Sequence, residues 1–502
     1  MSRTEKFIKN ALITGLLQIV TMISGFILPK VMISVYGSEI NGLVTSITQL
    51  ISYLTLVEAG LSGAAIYSLY KPLADNDTNN INRILAAAKN FYYRTGYLFL
   101  GLVVGSAFFY PLFLKTNLLN YYEIVILFLI LGVNGILEFF TLAKYRALLT
   151  ADQKTYIISL ASIIQVILNT SIVTILSYTG VSIVTVRFVA IISIIIRTVI
   201  LWEYCRKKYK YLDFSVEPDN SSMDKRWDAL YMQVIGVIHT GAPVVIATFL
   251  LTLEDVSIYS IYYIVINGLN SILSIFMSGL SASFGDLIIR NEREKFKKSF
   301  QQFEYTYYII ITIVYAITMT TYLPFIKVYT KGADINYEFP VLAILMTLNG
   351  YFYNLKTPFG MLTIASGKYR ESRVQITIQG LLEIICGIVF AKIFGLNGII
   401  LGAIISNLYR NIDFIFFAPK YLTHYSFSSS LQMWIRSILL IVIIPSITYF
   451  IPNSFITNYF TWLVYVLIIG MIVVIVTLTV NMLSDKKLFK EVYMRIKYMF
   501  IK

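Results

Sequence analysis

Fourteen apolar stretches of about 20 residues or more divide this chain, and a helix rising ~1.5 Å per residue crosses a bilayer core in that length. They lie over residues 11–34, 41–69, 91–114, 121–143, 155–177, 181–203, 229–251, 257–285, 303–326, 339–361, 374–393, 396–417, 433–451 and 459–482. Backbone polar groups find no water inside hydrocarbon, so stretches of this kind must satisfy their hydrogen bonds internally as helices. The expected fold class is therefore an all-α polytopic membrane protein.

The charges trace the path of the chain through the membrane. Of 41 Lys and Arg residues, 34 fall in or beside every second gap, from Arg3, Lys6 and Lys9 to Lys486, Lys487, Lys490, Arg495, Lys497 and Lys502. The alternate gaps hold Lys30, Lys115, Lys327, Lys331 and Lys392, while Arg187 and Arg197 lie inside a stretch. The positive-inside rule then places both termini and the long loops in the cytoplasm. A mean hydropathy of +0.72 with 14% charged residues excludes a soluble protein with a greasy core. The net charge of +14 fits cytoplasmic cations beside anionic head groups and calls for no nucleic acid. No small-residue cleavage site follows the first basic residues, so the first span is expected to be retained. Cys205 and Cys386 are far apart, and with His239 and His424 as the two histidines no disulfide framework, zinc pattern or other metal site is expected.

The longest polar insertion runs from Arg206 to Arg226 and divides the chain. It predicts an N-terminal six-helix lobe over 1–208, a cytoplasmic linker over 209–227, a C-terminal six-helix lobe over 228–420, and helices 13 and 14 with a basic tail over 421–502. The two lobes share residues at a steady spacing. Leu148 and Leu362, Ala151 and Ala365, Lys154 and Lys368, and Gln165 and Gln379 match at 214, and Gly180 and Gly395 at 215. Six spans return the chain to its starting side, so the halves would be parallel repeats about an axis along the membrane normal.

Charge within the bilayer marks candidate chemistry, because an Asp, Lys or Arg at a helix centre costs about 2.5–3.5 kcal/mol to insert. Glu58, Glu138, Arg187, Arg197 and Glu383 are the deepest, with His239 near the middle of the seventh span. They should face a cavity or one another. Arg187 and Arg197 would stand ~15 Å and roughly 80° apart on a straight helix, too far to grip one small anion together. Each can attract a phosphate or pyrophosphate, or close an internal salt bridge to Glu58, Glu138 or Glu383. Glu58, Glu383, Glu138 and His239 are candidates for coupling to H+ or Na+, and an ordinary helix–helix hydrogen bond serves them equally. Lys30, directly after Pro29, either contacts ligand or snorkels to the outer interface. The 38 Tyr and 33 Phe residues suit sugar stacking or interfacial belts. Gly25, Pro29, Gly60 and Gly63 suit bending or close packing.

The stretch Tyr36-Gly-Ser-Glu-Ile-Asn-Gly-Leu, then Leu56-Val-Glu-Ala-Gly-Leu-Ser-Gly-Ala-Ala, Tyr70-Lys-Pro-Leu-Ala and Phe394-Gly-Leu-Asn-Gly, resembles bacterial polysaccharide flippases of the multidrug/oligosaccharidyl-lipid/polysaccharide exporter superfamily. The resemblance implies two six-helix lobes in a V, alternating access, and movement of undecaprenyl-pyrophosphate-linked oligosaccharide from the cytoplasmic to the outer leaflet of the bacterial cell membrane. It also implies membrane lipids and polysaccharide polymerase machinery as partners. Lipid II flippases of the superfamily carry an arginine directly after Gly-Phe-Val, where this chain reads Gly25-Phe26-Ile27-Leu28. Multidrug extruders share the fold but favour hydrophobic cations. A glycosyltransferase or polymerase would need positioned acids where sugars meet, and the outer loops offer mainly Glu39, Glu254, Asp255, Asp334 and Glu338 in short segments, so no enzyme is expected. No phosphate-cradling glycine loop is found, and no cofactor is implied.

Overall fold

The computed structural model describes the backbone of residues 3–58, 61–114, 116, 118–219, 226–448 and 450–501, and side chains there except at 3, 4, 7, 61, 226–235, 238, 239, 275, 276, 278, 279, 282, 369, 496 and 498–501. All regular structure among the described residues is helical. In chain order the helices are α1 Arg3–Val35, α2 Ser38–Leu54, α3 Leu61–Ala74, α4 Thr78–Phe109, α5 Tyr121–Leu137, α6 Ala143–Ala151, α7 Thr155–Ser177, α8 Ile183–Lys208 and α9 Arg226–Leu250. They continue as α10 Leu253–Ile289, α11 Arg293–Tyr329, α12 Pro340–Leu355, α13 Thr357–Ala365, α14 Tyr369–Phe394, α15 Leu396–Phe417, α16 Ser428–Thr448, α17 Tyr459–Ser484 and α18 Lys486–Ile501.

Each expected stretch is helical over most of its described residues, and twelve spans among the described residues are long and apolar enough to cross a membrane. Two of the fourteen differ. The seventh is α9, of which Thr240–Leu250 forms the described apolar part. The tenth divides at Lys356 into α12 and α13, and Pro358, which has no N–H to donate, sits in the first turn of the new helix. The second and fourth spans are also interrupted, by a 3-10 turn at Thr55–Glu58 and a π-helical turn at Glu138–Leu142.

Contacts divide the chain into two compact units, Met1–Ile258 and Tyr259–Lys502. In the first, a ladder of hydrogen bonds fastens α1 to α7: Asn10 Nδ2 donates to the Gln153 carbonyl at 2.9 Å, Thr14 meets Ser159 at 3.1 Å and Ser24 meets Thr170 at 2.5 Å. The opposite side of α1 leaves Ile8, Leu12 and Ile19 exposed, as a lipid-facing helix does. By contact α9 groups with this unit. Ser46 and Thr248 share a hydrogen bond of 2.5 Å between α2 and α9, and Asn41 donates to Ser257 at 2.8 Å.

In the second unit α16 and α17 pack on α11 through Leu440, Ile444, Tyr465, Ile469 and Val473. Thr312 meets Ser437 at 2.5 Å, and Trp462 donates to the Thr321 carbonyl at 3.1 Å. Tyrosines serve this core as helix-to-helix donors. Tyr315 and Tyr307 reach Asn270 and Asn354 at 2.8 and 2.9 Å, and Tyr351 reaches Ser437 at 2.8 Å. Many of the aromatics considered for sugar stacking are thus buried structural groups, since a phenol OH inside a membrane protein needs a partner.

The backbone carries the internal repeat further than the side chains do. After α6, Asp152, Gln153 and Lys154 N–H groups bond Leu148, Thr150 and Leu149 carbonyls; after α13, Ser366, Gly367 and Lys368 bond Leu362, Ile364 and Thr363. Each donor and acceptor is displaced by 214 residues, and Gln153 and Gly367 both have positive φ, 56° and 68°. Asn76 and Asn291, displaced by 215, repeat the same geometry before α4 and α11 at φ 54° and 56°. Asn and Gly tolerate this left-handed region best.

Candidate functional site

The first unit collects four intramembrane charges. Glu138 opens the π-helical turn between α5 and α6, and its carboxylate accepts from Arg146 on one oxygen and from Arg197 of α8 on the other, the latter at 3.3 Å. Arg197 also donates to Gln165 of α7 at 3.3 Å, and its side chain is only 13% exposed. Glu58, in the 3-10 turn after α2, lies within electrostatic reach of Arg146 and Glu138. Two carboxylates and two guanidinium groups balance in formal charge, as buried charges must if they are to persist in a low dielectric.

The π-helical turn explains the geometry. Eight residues of ordinary α-helix would turn Arg146 ~80° away from Glu138, whereas one inserted residue returns it to within ~20°. Arg146 was grouped by sequence with the loop cations, because its alignment with Glu138 depends on that insertion.

Arg187 is placed differently. It projects from the first turns of α8 toward α1, where one Nη meets the Met32 thioether at 3.7 Å and the buried Nε has no hydrogen-bond partner. No carboxylate lies within ion-pair distance of it among the described residues. The expected salt-bridge alternative is therefore realised for Arg197 through Glu138, and Arg187 keeps an unneutralised charge. Lys30 is half-buried on α1, with the Ser34 hydroxyl donating to its carbonyl at 2.7 Å. His239 lies on α9, and its side chain is outside the described residues.

The second unit holds a related polar cluster. Lys356, at the break between α12 and α13, donates to Asn407 of α15 at 2.5 Å, and Asn407 donates to Asn349 at 2.9 Å. Gln379 of α14 reaches Asn407 at 3.4 Å, and Glu383 lies within electrostatic reach of Lys356. Gln165 and Gln379, matched at a spacing of 214, thus occupy corresponding positions in the two clusters. Glu304, fully buried on α11, accepts from Tyr308 at 3.1 Å and Ser430 at 3.0 Å. Arg410 pairs with Asp413, donates to Ser372 at 2.5 Å and lies over Phe414 at 4.1 Å. Sequence reading left Glu304 unremarked and put Lys356 and Arg410 among loop cations. Pro358 was the available signal for Lys356, since it sits in the first turn of the helix that follows that lysine. No cluster of three or more metal-ligating side chains occurs among the described residues.

No family model and no curated protein matches the sequence. Solved structures do match. "Lipid II flippase MurJ, inward closed conformation" has a TM-score of 0.68 at 17% identity, covering 95% of this chain and 100% of that chain. An inward-facing multidrug resistance MATE family transporter of the MOP superfamily has a TM-score of 0.64 at 13% identity, covering 86% and 98%. The Vibrio cholerae MATE transporter VcmN in its bent form has a TM-score of 0.54 at 11% identity, covering 87% and 98%. At these identities the likeness is one of architecture, and the chain shares its polytopic helical fold with these solved transporters.

Proposed function

We propose that the chain is a flippase that moves undecaprenyl-pyrophosphate-linked oligosaccharide from the cytoplasmic to the outer leaflet by alternating access, for export of cell-surface polysaccharide. It resides in a bacterial cell membrane with both termini cytoplasmic. A diphosphate and its sugars do not cross hydrocarbon unaided, whereas a polar cleft shields the head while the lipid tail stays in the bilayer. The observation that carries this reading is Arg187, a cation within the membrane-spanning part of the first unit with no carboxylate partner among the described residues. With the Glu58–Glu138–Arg146–Arg197 group balanced, the remaining charge favours an anionic head group over a hydrophobic cation. Polymerase machinery at the outer face would receive the product. Coupling to H+ or Na+ would fall to Glu58, Glu138, Glu383 or His239.

Lipid II is the second reading, supported by the likeness to MurJ along 95% of the chain. Leaflet-resolved transport of a defined undecaprenyl-pyrophosphate oligosaccharide in proteoliposomes, with lipid II and a cationic dye as competitors, separates the readings. Selective movement of the oligosaccharide, reduced at least tenfold by Arg187→Gln, is expected. Movement of dye alone would overturn the proposal.

A further inference from the structure

The two repeats differ at one place where their backbones coincide, the basic-side turn that follows the fourth and tenth spans. In the first unit Asp152 fills it. Its carboxylate receives Lys154 at 2.5 Å, Lys6 at 3.3 Å and the Tyr209 hydroxyl at 2.6 Å, so three elements close on one acid. The residue displaced by 214 is Ser366, whose hydroxyl turns back to the Leu362 carbonyl at 2.7 Å. Lys368, the counterpart of Lys154, pairs instead with Glu371 at 3.0 Å in the first turn of α14, which leaves position 366 itself without charge.

A second acid is kept but used differently. Asp77 caps α4, accepting from the Asn80 N–H at 3.0 Å. Its counterpart Glu292, displaced by 215, makes no capping bond at the start of α11 and instead pairs with Lys295 at 2.8 Å. The first N–H groups of a 37-residue helix, with their partial positive charge, therefore lack a side-chain cap.

The space left open is a pocket of about 410 Å³. Arg293, Lys297, Lys368 and His424 line it against a single carboxylate, Glu294. Lys368 is paired with Glu371 at 3.0 Å and Arg293 donates to Asn291 at 3.1 Å, while Lys297 lies over the Tyr425 ring at 5.4 Å with no acid in ion-pair distance among the described residues. Tyr425 also lines the pocket with its ring, while its buried hydroxyl lies within electrostatic reach of Glu304. Clustered cations and an uncapped helix start form the donor set that phosphoryl oxygens take.

We propose that this pocket of the second unit, between the starts of α11 and α14 and the segment after α15, binds a phosphoryl anion on the basic face of the protein. The site is separate from Arg187 and does not depend on what the protein transports. The phosphoryl group comes from a soluble diphosphate or from an anionic lipid head.

The test uses the full chain in nanodiscs of neutral phosphatidylcholine, titrated with inorganic pyrophosphate by calorimetry, and in parallel nanodiscs containing phosphatidate, with retained lipid read by native mass spectrometry. Ser366→Asp introduces the acid that fills the first unit's turn, and Arg293→Gln/Lys297→Gln removes donors without adding charge. Loss of roughly tenfold or more in affinity in both variants is expected, the scale of losing charge-assisted hydrogen bonds. Pyrophosphate binding in neutral discs identifies a soluble anion, and phosphatidate retention alone identifies a lipid head. If wild type and the Arg293→Gln/Lys297→Gln protein bind both probes equally, or wild type binds neither, the proposal is wrong. Asp152→Asn serves as the control for general charge effects and should leave the second unit's affinity unchanged.

Discussion

At the scale of single residues, Glu138 matters most because two guanidinium groups depend on it. Glu138→Gln leaves Arg197 without an acid and Arg146 with Glu58 alone, and breaking a buried pair such as Glu138–Arg197 by removing one partner costs about 3–5 kcal/mol. The double substitution Glu138→Gln/Arg197→Gln removes one of those cations as well. It is therefore expected to be more stable than Glu138→Gln alone, as measured by thermal unfolding in detergent; no recovery in the double variant would refute the pairing. Asp152, outside the spans, gives a pH-dependent counterpart. Burial raises its carboxyl, but hydrogen bonds from Lys154 and Tyr209 and the charges of Lys154 and Lys6 outweigh this and hold it below the ordinary range. A carboxyl depressed on folding stabilises the protein above its unfolded value, near pH ~4, and that contribution disappears as pH falls through the folded value. Asp152→Asn should thus cost on the order of 1 kcal/mol at neutral pH, after allowance for partial exposure, and the deficit should close in acid. An unchanged gap between neutral and acidic pH would count against the clamp.

At the scale of elements, how much was legible depended on whether a feature follows from composition or from a local break. Long apolar runs such as 155–177 predict α7 to the residue, because burial in lipid leaves a helix as the one local solution. The breaks are harder. Nothing in Glu138-Phe-Phe-Thr-Leu distinguishes a π-helical turn from α-helix, and with that turn unseen Arg146 could not be joined to Glu138. The contact of α14 with α15 was likewise hidden, since Gly387, Gly398 and Gly402 look like any small residues. A Cβ on Gly402 would overlap the Gly387 backbone, and one on Gly398 the Phe390 carbonyl. Backbones approach this closely only where side chains are absent. Gly402→Leu should therefore force the two helices apart and destabilise the second unit by about 1–3 kcal/mol or more, whereas Gly380→Ala on α14, with open space at its Cβ, should be nearly neutral. Equal unfolding midpoints for the two variants would contradict the packing.

At the scale of the whole molecule, the repeat was readable as scattered identities, yet its strongest expression is in backbone hydrogen bonds that unlike residues make at a constant displacement, as Gln153 and Gly367 do. Geometry persists there because a helix entering the membrane needs the same tight turn whatever side chain forms it. The orientation of that repeat rests on charge. Between Asn79, after the second span, and Thr179, after the fifth, the chain crosses three times, so the two positions must lie on opposite sides. Both residues are exposed. With Cys205 and Cys386 replaced by Ala, Thr179→Cys should react with a membrane-impermeant maleimide in intact cells, and Asn79→Cys only after permeabilisation. The Lys and Arg excess on the Asn79 side supplies the direction, since cytoplasmic loops retain such residues. Reversed labelling would turn the protein over and with it the proposed direction of transport. Labelling of both positions from one side would mean that the fourth span, interrupted at Glu138, does not cross, and the charge cluster built on that interruption would then lie outside the membrane.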